Sequence, residues 1–193
     1  MNQYNCLSKQ EFYKRTYKIV PLRYEDVFLI KKWRNEQVDI LRQKKLLTDE
    51  DQQRYYEQVI NPLFEQEQPT QLLFSYLKQD QLIGYGGLVY VNWMDKRAEV
   101  SFLLNTTLTK NQQTYQQLHL EYLELIKQLT FEELGFNRIF TETFDIRPEH
   151  IANLEAAGFV EEGRMKEHIW INNTFVDSIL HGYLKKYYDN AER

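Results

Sequence analysis

The side chains able to do chemistry gather near one strand and the helices that follow it. Glu99 stands inside the otherwise apolar run of residues 97–104, where a carboxylate can accept a proton as a general base. A solvent-facing position, or a salt bridge with Arg97 or Lys96, explains the same residue without catalysis. His150 follows near a predicted helix start, where it could serve as a base, a phosphate contact or a structural side chain.

A long helix and the strands on either side of it must position these residues. Apolar side chains recur three or four residues apart, which indicates one stripe of a helix: Tyr115, Leu118, Tyr122, Ile126 and Leu129. Gly135 follows where a helix end favours a left-handed residue, and residues 138–144 then predict a strand. A helix that leads straight into a strand predicts a preceding parallel strand, here residues 97–104. We therefore expect a ligand where that strand meets the helix start.

Length and composition describe an ordinary folded domain. The chain has 193 residues, of which 42% are apolar and 15% aromatic, enough for a core. We divide it into an N-terminal tail, residues 1–16, and a single domain, residues 17–193. The net charge of −4 argues against nucleic acid as a partner, and the single Cys6 excludes a cysteine-based metal site. With no membrane-spanning apolar run and no signal peptide, we expect a cytoplasmic protein that binds neither membrane nor metal.

The remaining segments predict a sheet flanked by helices. Strand signals fall at residues 17–22, 72–77, 82–91, 160–171 and 175–184, and helix signals fall after residue 24, after Thr48 and at residues 147–156. Pro21 suits an edge strand, and the glycines at 84, 86 and 87 indicate a bulge or a close backbone approach. Residues 36–47 stay ambiguous. The order is β-α-α-β-β-β-α-β-α-β-β, an α+β fold with a mostly antiparallel sheet and one central βαβ crossover.

This order resembles that of the GNAT family of N-acetyltransferases along nearly all of residues 17–184. Residues 97–102 (Arg-Ala-Glu-Val-Ser-Phe) resemble the fourth strand in the ribosomal-protein and polyamine acetyltransferase branches. Residues 131–139 (Phe-Glu-Glu-Leu-Gly-Phe-Asn-Arg-Ile) resemble the end of the family's main helix and its fifth strand. Residues 154–159 (Leu-Glu-Ala-Ala-Gly-Phe) are similar to its L-E-K-x-G-F segment. The three stretches in the right order are more specific than any one alone.

The helix start departs from the family pattern. Family members open the central helix with Q/R-x-x-G-x-G/A, whose bare backbone N–H groups hold the diphosphate of coenzyme A. Here residues 109–117 read Thr-Lys-Asn-Gln-Gln-Thr-Tyr-Gln-Gln, without a glycine. Because glycine permits close backbone approach, its loss should weaken phosphate binding without abolishing it. The resemblance assigns coenzyme contacts to Phe102, Leu103, Leu104, Lys110, Asn111, Gln112, Gln113, Thr114, Tyr115, Arg147 and His150.

The resemblance also implies an activity with assigned roles. Acetyl-CoA would be the co-substrate and a primary amine of an amino sugar, a polyamine or a protein N-terminus the acceptor. Glu99 would draw the amine proton, and a backbone N–H near residues 102–104 would hold the oxyanion. The acceptor side would include Trp33, Arg34, Asn35 and Trp93, for which core packing, helix capping and edge covering are the alternatives. The family's tyrosine acid falls at Leu154, so Tyr85, Tyr90 and Tyr115 stay open as replacements.

Two other interpretations remain open at this stage. A GNAT-like chain that has lost coenzyme binding would serve as a binding or assembly module, which the glycine-free loop favours. An unrelated α+β ligand-binding domain would make the three matches accidental. The aromatic C-terminal hairpin leaves room for a homodimer.

Overall fold

A computed structural model describes residues 2–43 and 45–191 of the chain. Its strands are β1 (Phe12–Lys14), β2 (Tyr17–Pro21), β3 (Leu72–Lys78), β4 (Gln81–Asn92), β5 (Arg97–Leu104), β6 (Arg138–Phe144), β7 (Val160–Ile171) and β8 (Thr174–Leu184). Its helices are α1 (Val27–Glu36), α2 (Asp49–Tyr55), α3 (Asn61–Leu63), α4 (Gln112–Lys127), α5 (Pro148–Ala156) and α6 (Lys185–Ala191). The strands form one sheet in the order β1-β2-β3-β4-β5-β6-β8-β7. This mixed sheet flanked by helices confirms the predicted α+β architecture.

The parallel pair predicted around the central helix is β5 with β6. The two strands pair over three residues only, from Arg97 opposite Arg138 to Glu99 opposite Phe140, whereas the sheet's other pairs are antiparallel. β5 continues to Leu104 without β6 beside it. The backbone groups on that side of β5 therefore have no neighbouring strand, and a notch opens between the two strands.

Helix α4 crosses from β5 to β6 and forms the predicted stripe. All five predicted stripe residues are at most 8% exposed: Tyr115, Leu118, Tyr122, Ile126 and Leu129. The helix continues as a π-helical stretch, Gln128–Glu133, and Gly135 adopts the predicted positive φ of +61°. Glu121 and Lys127 are buried as well, because the N-terminal segment and α5 cover further faces of α4.

Glycines let β4 approach its neighbours closely, as the sequence indicated. A Cβ on Gly86 would lie 2.1 Å from the carbonyl oxygen of Ser101 on β5. Gly87 has a φ of +146°, and a Cβ there would lie 1.9 Å from the carbonyl oxygen of Leu72. Side chains at these two positions would push β3 and β5 away from β4.

The segment predicted as a tail, residues 1–16, packs on the domain in its described part. Phe12–Lys14 form a strand beside β2, and Tyr4 is 1% exposed with its hydroxyl bonded to both backbone groups of Leu73. The pairing of β1 with β2 ends at Ile19, so Pro21 lies beyond it. The missing N–H of Pro21 therefore disrupts no hydrogen bond between β1 and β2. Residue 1 and residues 192–193, the outer ends of the predicted tail and domain, lie outside the described residues. None of the described helices is both long and apolar enough to cross a membrane.

Candidate active site

The notch between β5 and β6 contains a cavity of about 270 Å³, here called the central cavity. Its walls come from both strands, from α4 and α5, and from the loop after α1; they include Glu99, Ser101, Phe102, Thr141, Thr143 and His150. Among the described residues, no tyrosine lines this cavity, and Gln43 is the one glutamine that does. A chain-like ligand can therefore enter along the unpaired side of β5.

A stack of rings forms one wall of the central cavity. The ring of His119 lies 4.4 Å from that of Phe102 and 4.3 Å from that of His150, nearly parallel to both. Burial lowers the pKa of His119 to about 3, and burial together with Arg147 lowers the pKa of His150 well below its ordinary value. Both imidazoles are therefore neutral near pH 7. The sequence analysis missed His119, because a histidine on the buried stripe of a helix carries no distinguishing signal.

Glu99 is held at the point where β5 and β6 separate. Both of its carboxylate oxygens accept from Arg42, at 2.7 and 3.3 Å, and Arg42 also donates to Glu142 on β6 at 3.0 Å. Neither salt-bridge partner considered from the sequence is correct, because Arg97 faces Asp95 and the loop after α1 supplies Arg42 instead. Burial raises the pKa of Glu99 and the Arg42 guanidinium opposes that rise.

A second cavity, of about 380 Å³ and here called the helix-start cavity, lies at the first turn of α4. Five of the predicted coenzyme residues converge on it: Lys110, Gln112, Tyr115, Arg147 and His150. Three others, Asn111, Gln113 and Thr114, do not line it, and the side chain of Asn111 instead caps the helix by accepting from the Thr114 N–H at 2.8 Å. The amides of Gln112 and Gln113 keep no acceptor inside the helix.

The hydroxyl group of Tyr115 bonds to two residues that line both cavities, Arg147 and His150. That oxygen lies 2.7 Å from Nδ1 of His150 and accepts from Nη2 of Arg147 at 3.2 Å. Burial raises the pKa of Tyr115, and Arg147 opposes the rise. His150 is thus a neutral partner of Tyr115, and its predicted role as a base or a phosphate contact stays a prediction.

Backbone groups of β5 line the notch less uniformly than predicted. Phe102 borders the central cavity, whereas the side chains of Leu103 and Leu104 are 4% and 1% exposed in the core. The carbonyl of Leu104 already accepts from Nε2 of Gln37 at 2.9 Å. The carbonyl of Ser101, the residue before Phe102, likewise accepts from the Tyr122 hydroxyl at 2.7 Å, so two carbonyls of this stretch already have side-chain donors. Leu154, at the family's acid position, is fully buried and borders the same cavity.

The consecutive residues Trp33, Arg34 and Asn35 point in three directions, because helix positions are about 100° apart. Trp33 is 2% exposed within the core, which favours the core-packing alternative over its predicted acceptor contact. Asn35 clamps the loop after α1 by bonding both backbone groups of Leu47 at 2.9 Å. Of the three, only Arg34 lines the central and outer cavities; its Nη1 donates to the Tyr85 hydroxyl at 2.5 Å.

Trp93 lies beside a third cavity, of about 970 Å³ and here called the outer cavity. Its indole N–H donates to the carbonyl of Pro69 at 2.9 Å and its ring packs edge-on against Phe136. The outer and central cavities share lining residues on α1, its following loop and β5, so they lie side by side. Trp93 therefore lines the outer cavity, which adjoins the central cavity, and does not line the central cavity itself.

Comparisons with known proteins decide the family. A family profile described as "Acetyltransferase (GNAT) domain" matches residues 19–180, most of the chain. The chain belongs to the GNAT acetyltransferase family. This membership excludes an unrelated α+β ligand-binding domain and favours the enzyme over an inactive module: the GNAT chain is an acetyl-CoA-dependent N-acetyltransferase that acts on an amine.

Solved structures similar to this GNAT chain include two of a spermidine N-acetyltransferase from Vibrio cholerae. One, in complex with CoA and spermine, covers 91% of this chain and 99% of its own with a TM-score of 0.77 and 20% identity. The other, a dodecameric structure, covers 92% and 99% with a TM-score of 0.74 and 19% identity. At such identities the likeness shows the fold alone. No curated protein sequence matches this chain.

The residues of this GNAT chain fit coenzyme A despite the missing glycines. Nδ1 of His119 and Oγ1 of Thr141 are buried beside the central cavity without a hydrogen-bond partner among the described residues, as expected where a polar ligand binds. Lys110 and Arg147 bring positive charge to the helix-start cavity, which Glu149 also lines, and α4 presents its N-terminus there. Both ends of an extended, diphosphate-bearing thioester therefore have matching partners.

Proposed function

We propose that the chain acetylates the amine of a small acceptor within the central cavity, with Glu99 as general base. The observation that carries this proposal is the carboxylate of Glu99 at the point where β5 leaves β6. The amine nitrogen attacks the thioester carbon, its proton passes to Glu99 directly or through water, and the carbon–sulfur bond breaks to release a thiolate. A backbone N–H of β5 near Phe102 holds the oxyanion that forms in between.

Arg42 acts in this proposal as a positioning residue. Its two terminal nitrogens fix both oxygens of Glu99, and its charge opposes the effect of burial on the pKa of that carboxyl. Glu99 therefore stays ionised at a lower pH than burial alone would permit. The adjacent Glu142 shares Arg42 and has the opposite effect on Glu99.

The coenzyme would lie with its diphosphate in the helix-start cavity and its thioester in the central cavity. The amides of Gln112 and Gln113, together with Lys110 and Arg147, would bind the phosphate oxygens. Acetyl-CoA supplies the activated acetyl group. These side chains replace the contacts that glycine-flanked amides make in the family pattern.

Release of free coenzyme A thiol, measured with acetyl-CoA and a panel of amines, tests the proposal. The panel contains spermidine, glucosamine, glycine and a peptide with a free N-terminus. We expect at least one amine to raise the rate of thiol release well above the rate of hydrolysis, with N-acetylated product identified by mass spectrometry. Acetyl-CoA binding without acceleration by any amine would contradict acetyl transfer to small amines.

Replacing Arg147 by glutamine should weaken acetyl-CoA binding roughly 10- to 100-fold, because charge-assisted hydrogen bonds contribute about 1.5–3 kcal/mol. Calorimetric titration measures the Kd. S-acetylpantetheine, which lacks the diphosphate, should bind both proteins equally. Tyr115→Phe is the matched control, since it removes the Arg147–Tyr115 hydrogen bond without removing a charge. An equal loss for both thioesters would assign Arg147 a structural role only.

We also propose that two copies of the chain associate through the β7–β8 hairpin. In this hairpin Trp170 and Phe175 are 58% and 59% exposed, and their rings pack edge-on with centroids 4.7 Å apart. Two large apolar side chains that remain side by side in solvent favour burial against a second copy. Light scattering tests this directly, since a mass equal to one chain at micromolar concentration would contradict it.

A further inference from the structure

Arg34 is a partly buried guanidinium that has no carboxylate partner. Its Nε donates to Oε1 of Gln43 at 3.0 Å and its Nη1 donates to the Tyr85 hydroxyl. Within residues 2–43 and 45–191, neither Nη2 nor any other side-chain atom of Arg34 forms a further hydrogen bond or a salt bridge. Holding a charged group partly out of water with neutral partners alone is costly, which is typical of a residue that awaits a ligand anion.

The outer cavity is positively charged at the same place. Three arginines border it, Arg34, Arg42 and Arg97, and none of the described residues that line it is Asp or Glu. Arg42 is neutralised from the neighbouring central cavity by Glu99 and Glu142, and Arg97 faces Asp95. Arg34 alone keeps an uncompensated charge, so the site is acidic near Glu99 and basic near Arg34.

We infer that the acceptor amine carries an anionic group, a carboxylate or a phosphate, that binds to Arg34 while its nitrogen faces Glu99. This inference rests on the proposed function and names its substrate class. Nη2, which has no partner among the described residues, belongs to a charged, planar group and can donate to an oxygen of either anion. A polyamine has no anionic group for Arg34 and would bring positive charge against the uncompensated charge of Arg34, which opposes its binding.

The test compares kcat/KM for matched pairs of amines that differ in the anion. Glycine is paired with glycinamide and glucosamine 6-phosphate with glucosamine, so that one pair reports a carboxylate and the other a phosphate; spermidine is the cationic member. We expect one anionic amine to exceed its neutral partner, and Arg34→Gln to reduce that ratio roughly 10- to 100-fold. Because the kcat/KM ratio of each amine pair is compared between the wild type and the variant, differences in the intrinsic reactivity of the amines cancel.

Two further variants separate a binding role from a folding role. Arg34→Lys keeps the positive charge but lacks the planar guanidinium group, so this variant should retain only part of the preference for the anionic amine. Arg54→Gln removes a charge from an exposed site outside the cavities, so this variant should retain the full preference. Melting temperature with and without acetyl-CoA monitors folding and coenzyme binding of each variant. Preference for spermidine, or an anion ratio unchanged in Arg34→Gln, would overturn the inference and leave the proposed function intact. Absence of turnover with every amine would instead overturn the proposed function, and the inference with it.

Discussion

Replacing Glu99 by glutamine should lower kcat about 100- to 10,000-fold, the usual contribution of a positioned general base, while the Kd for acetyl-CoA stays within twofold. Glutamine keeps the size of the side chain but cannot accept the amine proton. Stopped-time assays of acetylated product give kcat, and calorimetry gives the Kd. Turnover equal to that of the wild type would show that Glu99 is not the base.

The pH profile gives an independent signature of the same residue. Glu99 works as a base only when ionised, and burial raises its pKa above that of an ordinary glutamate. Activity should therefore be full above this raised pKa and fall as the pH drops through it. Glu142→Gln is the matched control: because Glu142 raises the pKa of Glu99, its removal should move this acid limb to lower pH. If the acid limb of the pH profile does not move in Glu142→Gln, the titration of Glu99 is not what determines that limb.

Replacing Trp33 by alanine should reduce the free energy of unfolding by about 3–5 kcal/mol, because it leaves a large cavity in the core. Trp33 is 2% exposed and belongs to the same core cluster as Ile30 and Leu104. Such a loss is a large fraction of the total stability of a domain. Urea unfolding followed by circular dichroism measures it.

Met94 provides the comparison for Trp33, since its side chain is 92% exposed. Met94→Ala should change the free energy of unfolding by no more than about 0.5 kcal/mol. If Trp33→Ala instead left stability unchanged and raised only the KM for the acceptor, the side chain would contact substrate and the core assignment would be wrong.

The central helix and its strands could be predicted because local signals agree there. The apolar stripe from Tyr115 to Leu129, the left-handed Gly135 and the strand at residues 138–144 each report the same crossover. The α5 helix and its terminal Gly158, with φ of +85°, follow the same logic. Where the spacing of apolar residues and the residues typical of helix ends agree, the sequence predicts both the helix or strand and the element that it packs against.

The loop after α1 could not be predicted because long-range contacts determine its path. Residues 36–47 have no apolar period, and the loop is held by side chains of α1: Arg34 bonds Gln43, and Asn35 bonds Gln43 and Leu47. Arg42, the partner of Glu99, therefore had no signal in the sequence. The N-terminal strand was missed for a similar reason, since three residues that pair with β2 are too few to show a pattern.

The glycine-free helix start was the main doubt raised by the sequence, and the structure explains how a site persists there. Asn111 satisfies one amide of the first turn, while Lys110 and Arg147 border the cavity in front of the others. Arg147 is the residue just before α5, far along the chain from the start of α4, so only the fold brings the two together. Charged side chains thus lie at the position where the family pattern binds phosphate with backbone N–H groups.

Titration of the protein with acetyl-CoA tests the central claim most directly, namely that a thioester binds in the notch between β5 and β6. At a hundredfold excess over Kd we expect about 2.7 kcal/mol of added stability, seen as a clear rise in Tm. Protection of the β5 amides after Glu99 from hydrogen exchange should accompany it, with desulfo-CoA as a comparison ligand. No change in Tm or in exchange at millimolar acetyl-CoA would contradict the claim.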